Sequence, residues 1–306
     1  MKSYLRTFAS LVIVLLSLMV IGGFLGKLHP FFDSLSHFRL HLLGILSLCL
    51  SVLFFFTTPK KQYLIFTLVL FIAGYGYLFM TPFLRTTTSQ GRMIKTMQFN
   101  LLCMNQKMSF VSSYLIYHPV DVVTFQEVTF AHKRFIDALK PYYPYQVFCD
   151  NGGIHGVGGE MIISKFPFTG RGECLQDHGL VWREIAVKDR TISVVSLHLH
   201  WPYPYPQYQH ISLLSQELKT LHGTKIVMGD FNAVGWSHAV HRIQESSHTH
   251  IIDGVRWSIR VNTPFIPLWL PIDHVLLSPD IGVQSIQVGE DLGSDHRPIV
   301  TTLTLS

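Results

Sequence analysis

The sequence predicts three membrane-spanning helices followed by an α/β domain that is built as a two-sheet sandwich. Three long blocks within residues 1–84 contain no Asp, Glu, Lys or Arg. From about Met93 onward, short apolar runs of β type alternate with stretches in which apolar residues recur at helical spacing. Strands outnumber helices and both recur along the chain, which is typical of two sheets covered by helices.

The uncharged blocks cover residues 7–26, 40–59 and 62–84. Each is about as long as a helix that crosses ~30 Å of hydrocarbon. Buried core helices are one alternative, but such helices usually carry a polar face, and "LVIVLLSLMVIGGFLG" has none. A cleaved signal peptide is another alternative for the first block, although no small-residue cleavage pattern follows it. We therefore expect residues 1–84 to form a membrane anchor.

Basic residues around the spans predict their orientation. Lys2 and Arg6 precede the first span, and Lys60 and Lys61 separate the second from the third, so all four lie on one side of the membrane. By the positive-inside rule this side is the cytoplasm, which places the rest of the chain on the outer side. Basic residues between positions 85 and 95 favour the opposite orientation more weakly.

The positive charge of the chain belongs to the predicted anchor. The formal net charge is +5, but from residue 85 onward 8 Lys and 10 Arg balance 18 acidic residues. This part also has no basic run, so it lacks the electrostatic footprint of a strong duplex-binding protein. Nothing in the sequence indicates an oligomeric state.

The cysteine pattern excludes a zinc site. Cys49 lies in a predicted span, and Cys103, Cys149 and Cys174 follow neither a C-x-x-C pattern nor the spacing of zinc ligands. If this part of the chain faces an oxidising compartment, Cys149 can pair with Cys174, and three buried free thiols are the equal alternative.

Residues 85–92 are predicted to be a polar linker, and residues 93–306 to form the α/β domain. The predicted strands are "IKTMQFNLL", "DVVTFQEV", "GEMIISKF", "WREIAV", "TISVVSLHLH", "KIVMGDF", "IDHVLL", "GVQSIQV" and "PIVTTLTL". The predicted helices are "KMSFVSSYLIYH", "AHKRFIDALK" and "YQHISLLSQELKTL".

Polar side chains cluster at the ends of these apolar strands. A lone Asp at such a position is more often a turn or a helix cap than a catalyst. Strand ends are, however, also where α/β sheets bind ligands. His274 alternates with its neighbour along the strand, so we expect it to point to the other face and to be structural. The remaining polar residues are Asn100, Gln126, Glu127, His198, Asp230, Asn232, Asp273, Asp295 and His296.

Together these side chains suit a hard metal ion. Carboxylate and amide oxygens are ligands that Mg²⁺ prefers, and the α/β part offers no cysteine–histidine set for a softer metal. An Asp beside a His fixes the tautomer of the imidazole and raises its basicity. Such a set fits metal-assisted attack of water on a phosphoester.

The ordered motifs "MQFN", "VVTFQEV", "SLHLHWP", "VMGDFNA", "PIDHVLL" and "GSDHRPIV" resemble those of the endonuclease/exonuclease/phosphatase superfamily. The resemblance covers about Met93 to Ser306, and its specific part is "GDFN" followed by "SDHRP". It implies a deoxyribonuclease-like sandwich and a Mg²⁺-dependent phosphoesterase, for which Mn²⁺ is an alternative ion. The spans, "HLHWPYP" and "LPIDHVLLS" also resemble bacterial membrane-anchored members. Together with the orientation predicted from the basic residues, this leads us to expect an inner-membrane protein whose catalytic domain faces the periplasm.

The resemblance also implies which residues bind the metal. Glu127 is the expected main ligand, with Asn100 and Asp295 beside it.

The resemblance implies roles in the reaction for five further residues. Asp230 is expected to orient or deprotonate the attacking water, and Asn232 to hold a phosphate oxygen. His296, held by Asp273, is expected to act as a base or to stabilise the transition state. His198 is expected on the opposite side of the phosphate, as an acid or a phosphate contact. Which of Asp230 and His296 takes the proton is left open.

The chain departs from the superfamily pattern at two positions. Leu102 stands where some nucleases of the superfamily carry an acid. Glu160 either supports His198, as an acid does in the deoxyribonuclease branch, or is a partly exposed strand residue. With no basic DNA-gripping loops visible, these departures count against activity on duplex DNA more than against phosphoester hydrolysis. Nucleic acid and phospholipid head groups are equal expectations for the substrate.

A membrane-anchored binding or scaffold protein with an inactive domain is the alternative function. An inactive domain would be expected to have lost Glu127, Asp230 or His296, and all three are present.

Overall fold

The computed structural model describes residues 2–55, 58–80, 91–150, 158–175, 178–263 and 267–305, so most of the predicted linker lies outside the described residues. The helices are α1 (Lys2–Gly22), α2 (Pro30–Ser36), α3 (Arg39–Phe54), α4 (Pro59–Met80), α5 (Met108–Tyr117), α6 (Phe130–Asp137), α7 (Gln207–Thr220) and α8 (His238–Ser247). The strands are β1 (Arg92–Asn100), β2 (Val122–Val128), β3 (Tyr145–Cys149), β4 (Gly159–Ser164), β5 (Phe168–Leu175), β6 (Leu180–Val187), β7 (Arg190–His198), β8 (Thr224–Asp230), β9 (His250–Ile251), β10 (Ile259–Val261), β11 (Leu268–Leu270), β12 (Asp273–Leu277), β13 (Ile281–Val288) and β14 (Ile299–Leu305).

Two six-stranded sheets form the α/β part, in the orders β13-β14-β1-β2-β4-β3 and β5-β6-β7-β8-β12-β9. Their facing sides share a buried core that includes Ile94, Val122, Val194 and Val275. Helices α5 and α6 cover the outer side of the first sheet, and α7 and α8 cover that of the second. The predicted two-sheet α/β sandwich is confirmed.

Several elements were not predicted from the sequence. Strand β5 contains Gly170 and Gly172, which weaken any strand pattern, and it forms because it pairs with β6. Helix α8 was missed because its buried apolar side chains are few, namely Ala239, Val240 and Ile243. The short strands β9, β10 and β11 offer too few residues for a recognisable period.

A disulfide joins the two sheets at their edges. Cys149 ends β3 in the first sheet and Cys174 lies in β5 of the second, with their Cα atoms 5.6 Å apart. Of the two alternatives that the sequence left open, the structure has the paired one. A link between two edge strands limits their separation in the unfolded chain and so stabilises the sandwich.

The strand register brings the polar strand ends to one edge of the sandwich. In the first sheet β1 and β2 run parallel, with Asn100 opposite Gln126. In the second sheet β7 and β8 run parallel, with His198 opposite Asp230. Strand β12 runs antiparallel to β8 and starts with Asp273 opposite Asp230. The ends of four strands and the start of a fifth therefore meet.

Helices α1, α3 and α4 occupy the region of the three predicted spans, and α3 contacts both of the others. In the described residues no helix taken singly has both the length and the apolar character of a membrane span. Helices α2 and α3, which are bent by 63° relative to each other, have the length and apolar character of a span only when they are taken together. The three spans stay a prediction.

The segment between the first two predicted spans contains helix α2, which is docked on the α/β part. The Asp33 carboxylate accepts hydrogen bonds from the backbone N–H groups of His238 (2.7 Å) and Ala239 (2.9 Å) at the start of α8. An acid at a helix N-terminus satisfies free N–H groups and interacts favourably with the helix dipole. His37 Nε2 lies 3.2 Å from the carbonyl oxygen of Asn232. The α2 segment is thus attached directly to the α/β part.

His274 is buried on β12, and its Nε2 lies 2.7 Å from the carbonyl oxygen of Ala233. Burial lowers the pKa of His274 to about 4, and the bond to Ala233 only partly opposes this. In the unfolded chain the imidazole takes up a proton near pH 6.5, before the folded protein does. The contribution of His274 to the free energy of unfolding should therefore decrease as the pH falls below 6.5, by about 2 kcal/mol at pH 5.

Chemical unfolding of the wild-type chain and of His274→Gln in detergent at pH 7 and pH 5 isolates this contribution, because other titrating groups such as Asp230 and His296 are common to both proteins. His274→Gln keeps a donor for Ala233, so the variant should lose less stability over the same interval. An equal change in the free energy of unfolding between pH 7 and pH 5 in both proteins would contradict the lowered pKa of His274.

Candidate active site

All eight residues that the sequence predicts as site residues lie at the edge where the strand ends meet. Seven of them are linked to one another by hydrogen bonds or close contacts between side chains. These seven are Asn100, Glu127, His198, Asp230, Asn232, Asp273 and His296.

Asn100 joins the two acidic residues of the edge. Its Nδ2 donates to Glu127 Oε1 and to Asp230 Oδ2, both at 3.0 Å. The other carboxylate oxygen of Glu127 accepts the backbone N–H of Cys103 at 2.9 Å. Both oxygens of Glu127 are thereby held in place, while the residue is only partly buried. Glu127 is a rigid carboxylate with access to solvent.

Two site residues have left-handed backbone conformations, which are uncommon for side chains other than Gly. The φ angles are 57° at Glu127 and 44° at Asn232. Gly158 packs against the first of them, since a Cβ there would lie 2.8 Å from the carbonyl carbon of Glu127. Backbone strain of this kind concentrates at functional sites, where the surrounding structure maintains it.

Asp273 and His296 form a buried pair, with Oδ2 and Nδ1 2.8 Å apart. The other ring nitrogen, Nε2, lies 3.6 Å from Asp230 Oδ2. Ser294 keeps this loop beside β1, because its hydroxyl donates to the carbonyl oxygen of Asn100 at 2.9 Å. The imidazole therefore has one nitrogen on a carboxylate and presents the other to the site.

Burial and charge shift the pKa of all three groups. Burial opposes the charged form of His296, but the carboxylates of Asp273 and Asp230 outweigh it and raise the pKa to about 10. Burial, supported by the nearby charge of Asp273, raises the pKa of Asp230 to about 7. Burial also acts to raise the pKa of Asp273, but the charge of His296 and several hydrogen bonds lower it overall. At neutral pH the pair is an imidazolium beside a carboxylate.

His198 lies on the other side of Asp230, with its Nε2 3.6 Å from Oδ2. Its Nδ1 faces the fully buried Glu160, whose Oε1 is 3.9 Å away. Glu160 is thus buried beside His198, where it can hold the imidazole in place, and is not an exposed strand residue. Asn232 Nδ2 donates to the carbonyl oxygen of Leu199 at 2.8 Å and lies 3.4 Å from His198 Nε2.

Asp295 is exposed at the open side of the site. Its carboxylate contacts the hydroxyl of Ser294 at 3.3 Å, and no hydrogen bond joins it to Asn100 or Glu127 within the described ranges. Burial and the charge of Glu127 raise the pKa of Cys103, and the charge of Asp295 adds to this; it also adds to the larger effects of Asp273 and Asp230 that raise the pKa of His296.

Gln98 and Ser196 were not predicted, and Gln126 was noted only as a polar strand end. Gln98 Nε2 donates at 2.8 Å to both Asp273 Oδ1 and Gln126 Oε1. Gln126 in turn donates to Ser196 Oγ at 2.9 Å. A glutamine inside an apolar strand is the sequence signal that could have indicated this buried chain, which fixes the free oxygen of Asp273.

Two groups of ligands are available for a metal ion. Asp230, Asp273 and His296 each have an atom within 4.8 Å of the others, but all three are buried. An ion there would displace the bond between Asp273 and His296. Glu127 and Asp295 offer accessible carboxylate oxygens beside an amide, which is the donor set of a hard divalent cation.

An α/β sandwich with acids, amides and an Asp–His pair at one edge suits metal-assisted hydrolysis of a phosphoester. The chain belongs to the Endonuclease/Exonuclease/phosphatase family, whose model matches residues 97–296. Members of this family are generally metal-dependent and hydrolyse phosphoester bonds.

Solved structures of low sequence identity share the fold. A family member from Bacteroides vulgatus is 18% identical, with a TM-score of 0.58 over 70% of this chain and 100% of its own. TDP2 from D. rerio with a single-stranded DNA product is 15% identical, with a TM-score of 0.57 over 69% and 99%. Sphingomyelinase C from Streptomyces griseocarneus is 16% identical, with a TM-score of 0.51 over 69% and 99%. No curated protein matches the chain.

Proposed function

We propose that the chain is a membrane-anchored phosphodiesterase that depends on a divalent metal ion. The observation that carries the proposal is the unbroken series of contacts from Glu127 through Asn100 and Asp230 to His296 and Asp273. It places an oxygen-rich end suited to a metal next to an Asp–His pair suited to charge stabilisation and proton transfer. An inactive scaffold has no need to maintain this series.

Glu127, Asn100 and Asp295 would hold the ion, and Mg²⁺ fits the two carboxylates because they offer oxygen ligands. Asn100 would present its oxygen to the ion after its amide turns over, since its Nδ2 donates to Glu127 and Asp230. Mg²⁺ keeps several waters, so a few protein ligands suffice, and Mn²⁺ fits the same set. The bound ion supplies Lewis-acid activation of the phosphate.

The protein residues then divide the remaining chemistry. Asp230 is the proposed group that orients or deprotonates the water, because its Oδ2 lies 3.6 Å from Nε2 of both His198 and His296. His296, kept protonated by Asp273, stabilises the negative charge that develops on the phosphate. His198 contacts the phosphate or protonates the leaving group from the other side of Asp230. Asn232 holds a phosphate oxygen.

The proposal covers two substrate classes, nucleic acids and phospholipid head groups. One solved relative is bound to a DNA product and another is a sphingomyelinase C. The balanced charge from residue 85 onward counts against tight binding of duplex DNA.

A hydrolysis screen of the full chain in detergent tests the proposal. The substrates are plasmid DNA, RNA, sphingomyelin, phosphatidylinositol phosphates and an aryl phosphodiester, each with Mg²⁺ and with EDTA. We expect hydrolysis of one class, abolished by EDTA and absent from a parallel preparation of Asp273→Asn. No hydrolysis of any substrate would favour the scaffold alternative.

We further propose that helices α1, α3 and α4 form the anchor and that the α/β part faces the periplasm. Large exposed apolar side chains such as Leu15, Leu48 and Phe71 support a lipid environment. The disulfide between Cys149 and Cys174 supports an oxidising compartment.

Fusion of a reporter after Ser306 tests the orientation. A fluorescent protein that matures only in the cytoplasm should stay dark, whereas alkaline phosphatase, which needs an oxidising compartment, should be active in the same position. Bright fluorescence from a membrane-inserted chain would reverse the orientation.

A further inference from the structure

A cavity lies apart from the candidate active site, between the N-terminal helices and the β10–β11 hairpin. Its volume is about 740 Å³, within the range of about 300–1,000 Å³ that is usual for ligand pockets. Leu43, Gly44 and Ile72 are among the α3 and α4 residues that form one wall, and Trp269 and Arg297 belong to the other. None of the eight candidate site residues lines it.

The two walls differ in chemistry. The helix wall is mainly aliphatic, whereas the other wall carries two tryptophans and an arginine. The Arg297 guanidinium lies 5.4 Å from the centre of the Trp269 ring, and the Trp257 ring is 5.4 Å from that of His41. Arg297 is exposed and forms no ion pair with a carboxylate of the described ranges. The cavity therefore combines an apolar channel with an unneutralised cation at its side.

Two helical glycines keep the cavity open. A Cβ at Gly44 on α3 or at Gly76 on α4 would meet no described atom within 4 Å. Close packing of the described residues therefore does not require glycine at either position. Each costs helix stability of up to about 1 kcal/mol relative to Ala. Open space in front of both glycines is what a bound chain of methylene groups needs.

We propose that this cavity binds a membrane phospholipid, with an acyl chain along α3 and α4 and its phosphate on Arg297. Arg is suited to a phosphate because its guanidinium donates two hydrogen bonds in a matching geometry. Tryptophans concentrate at the level of the head groups, which is where this arrangement places Trp257 and Trp269. The site rests on the proposed membrane anchor but not on the proposed hydrolysis. Because Arg297 follows His296, the bound lipid contacts the segment that carries a candidate catalytic residue.

Photolabelling of the full chain in vesicles tests the site. The vesicles contain phosphatidylethanolamine, phosphatidylglycerol and a trace of a phospholipid with a diazirine on its acyl chain. Mass spectrometry should find the label concentrated on cavity residues such as Leu43 and Ser47. Gly76→Phe fills the cavity, so it should reduce this labelling by roughly tenfold or more, the factor for losing burial of about two CH₂ groups.

Matched variants make the test specific. Gly74 lies on the same helix with open space around it but does not line the cavity, so Gly74→Phe should label like the wild type. Arg297→Gln should weaken labelling, whereas Arg260→Gln, which lies on β10 but outside the cavity, should not. If Gly76→Phe fails to fold, Gly44→Leu fills the cavity from α3 instead.

Three outcomes would overturn the site. The first is equal labelling of Gly76→Phe and Gly74→Phe. The second is label spread evenly over outward residues such as Leu15 and Phe71, which indicates surrounding lipid only. The third is a chain that does not float with the vesicles, which contradicts the membrane anchor as well.

Hydrolysis of the screened substrates, measured with the same protein preparations, separates the lipid site from the proposed enzymatic activity. Labelling without hydrolysis overturns only the enzymatic proposal, and hydrolysis without cavity labelling overturns only the lipid site.

Discussion

Asp273→Asn is expected to reduce the rate of phosphodiester hydrolysis by roughly 10⁴-fold while the fold is kept. The amide is nearly the size of the carboxylate, and its oxygen can still accept from Gln98. Its NH₂ group would then donate to His296 Nδ1, which moves the imidazole proton to Nε2 and removes the stabilising negative charge. The pKa of His296 should fall from its raised value, and the residue should become neutral.

A double-mutant cycle distinguishes this unit from a purely structural carboxylate. We expect Asp273→Asn and His296→Ala to lower the rate per folded molecule by similar factors, and the double variant to lose little more. Asp121→Asn is the matched control, because Asp121 accepts the backbone N–H of Lys95 at 2.9 Å far from the site. This control should lower the melting temperature and leave the rate intact. Fully additive losses of the two site variants would contradict the paired action of Asp273 and His296.

Glu127→Gln is expected to lower the rate by about 10²-fold, with partial recovery at high Mg²⁺ concentration. The change removes one charge from the proposed metal site. It also leaves one N–H group without an acceptor, since both Glu127 oxygens accept hydrogen bonds and a glutamine has only one oxygen. The apparent Mg²⁺ affinity, read from the rate as a function of metal concentration, should weaken.

Glu184→Gln provides the matched control for this experiment. Glu184 forms an ion pair with the exposed Arg171 and lies outside the site, so its amide variant should keep both the rate and the metal dependence. Wild-type hydrolysis that persists unchanged in EDTA would show that Glu127 does not serve a metal.

The sandwich could be predicted because most of its strands appear in the sequence as short apolar runs. "VVTFQEV" and "KIVMGDF" are buried runs that end in polar residues, and the parallel pairing of such strands brings their ends together. Burial could not be derived in the same way. Glu160 looked equally suited to an exposed position, and its place beside His198 depends on the packing of β4 in the first sheet against β7 in the second. The role of Gln98 depends on Asp273, which is 175 residues away.

Short elements with distant partners were the other limit. Helix α2 has 7 residues, and its acid Asp33 bonds to an N–H group 205 residues later. Cysteine spacing likewise does not decide a pairing, because a disulfide requires the two Cα atoms to come within a few ångströms in the folded chain.

The docking of α2 determines how far above a bilayer the proposed catalysis would take place. Asp33 caps α8, and Trp236 Nε1 donates to the carbonyl oxygen of Ser36 at 2.9 Å. His37 Nε2 contacts the carbonyl oxygen of Asn232. A domain on a flexible linker would take many distances and orientations relative to the membrane surface. If the helices are embedded, these contacts instead hold the domain at one distance from that surface. The selection of substrates would then depend on the distance of the phosphoester from the membrane surface as well as on its chemistry. A phosphoester at the matching level would meet the site repeatedly, whereas one buried deeper or held farther out would meet it rarely, however well it fitted.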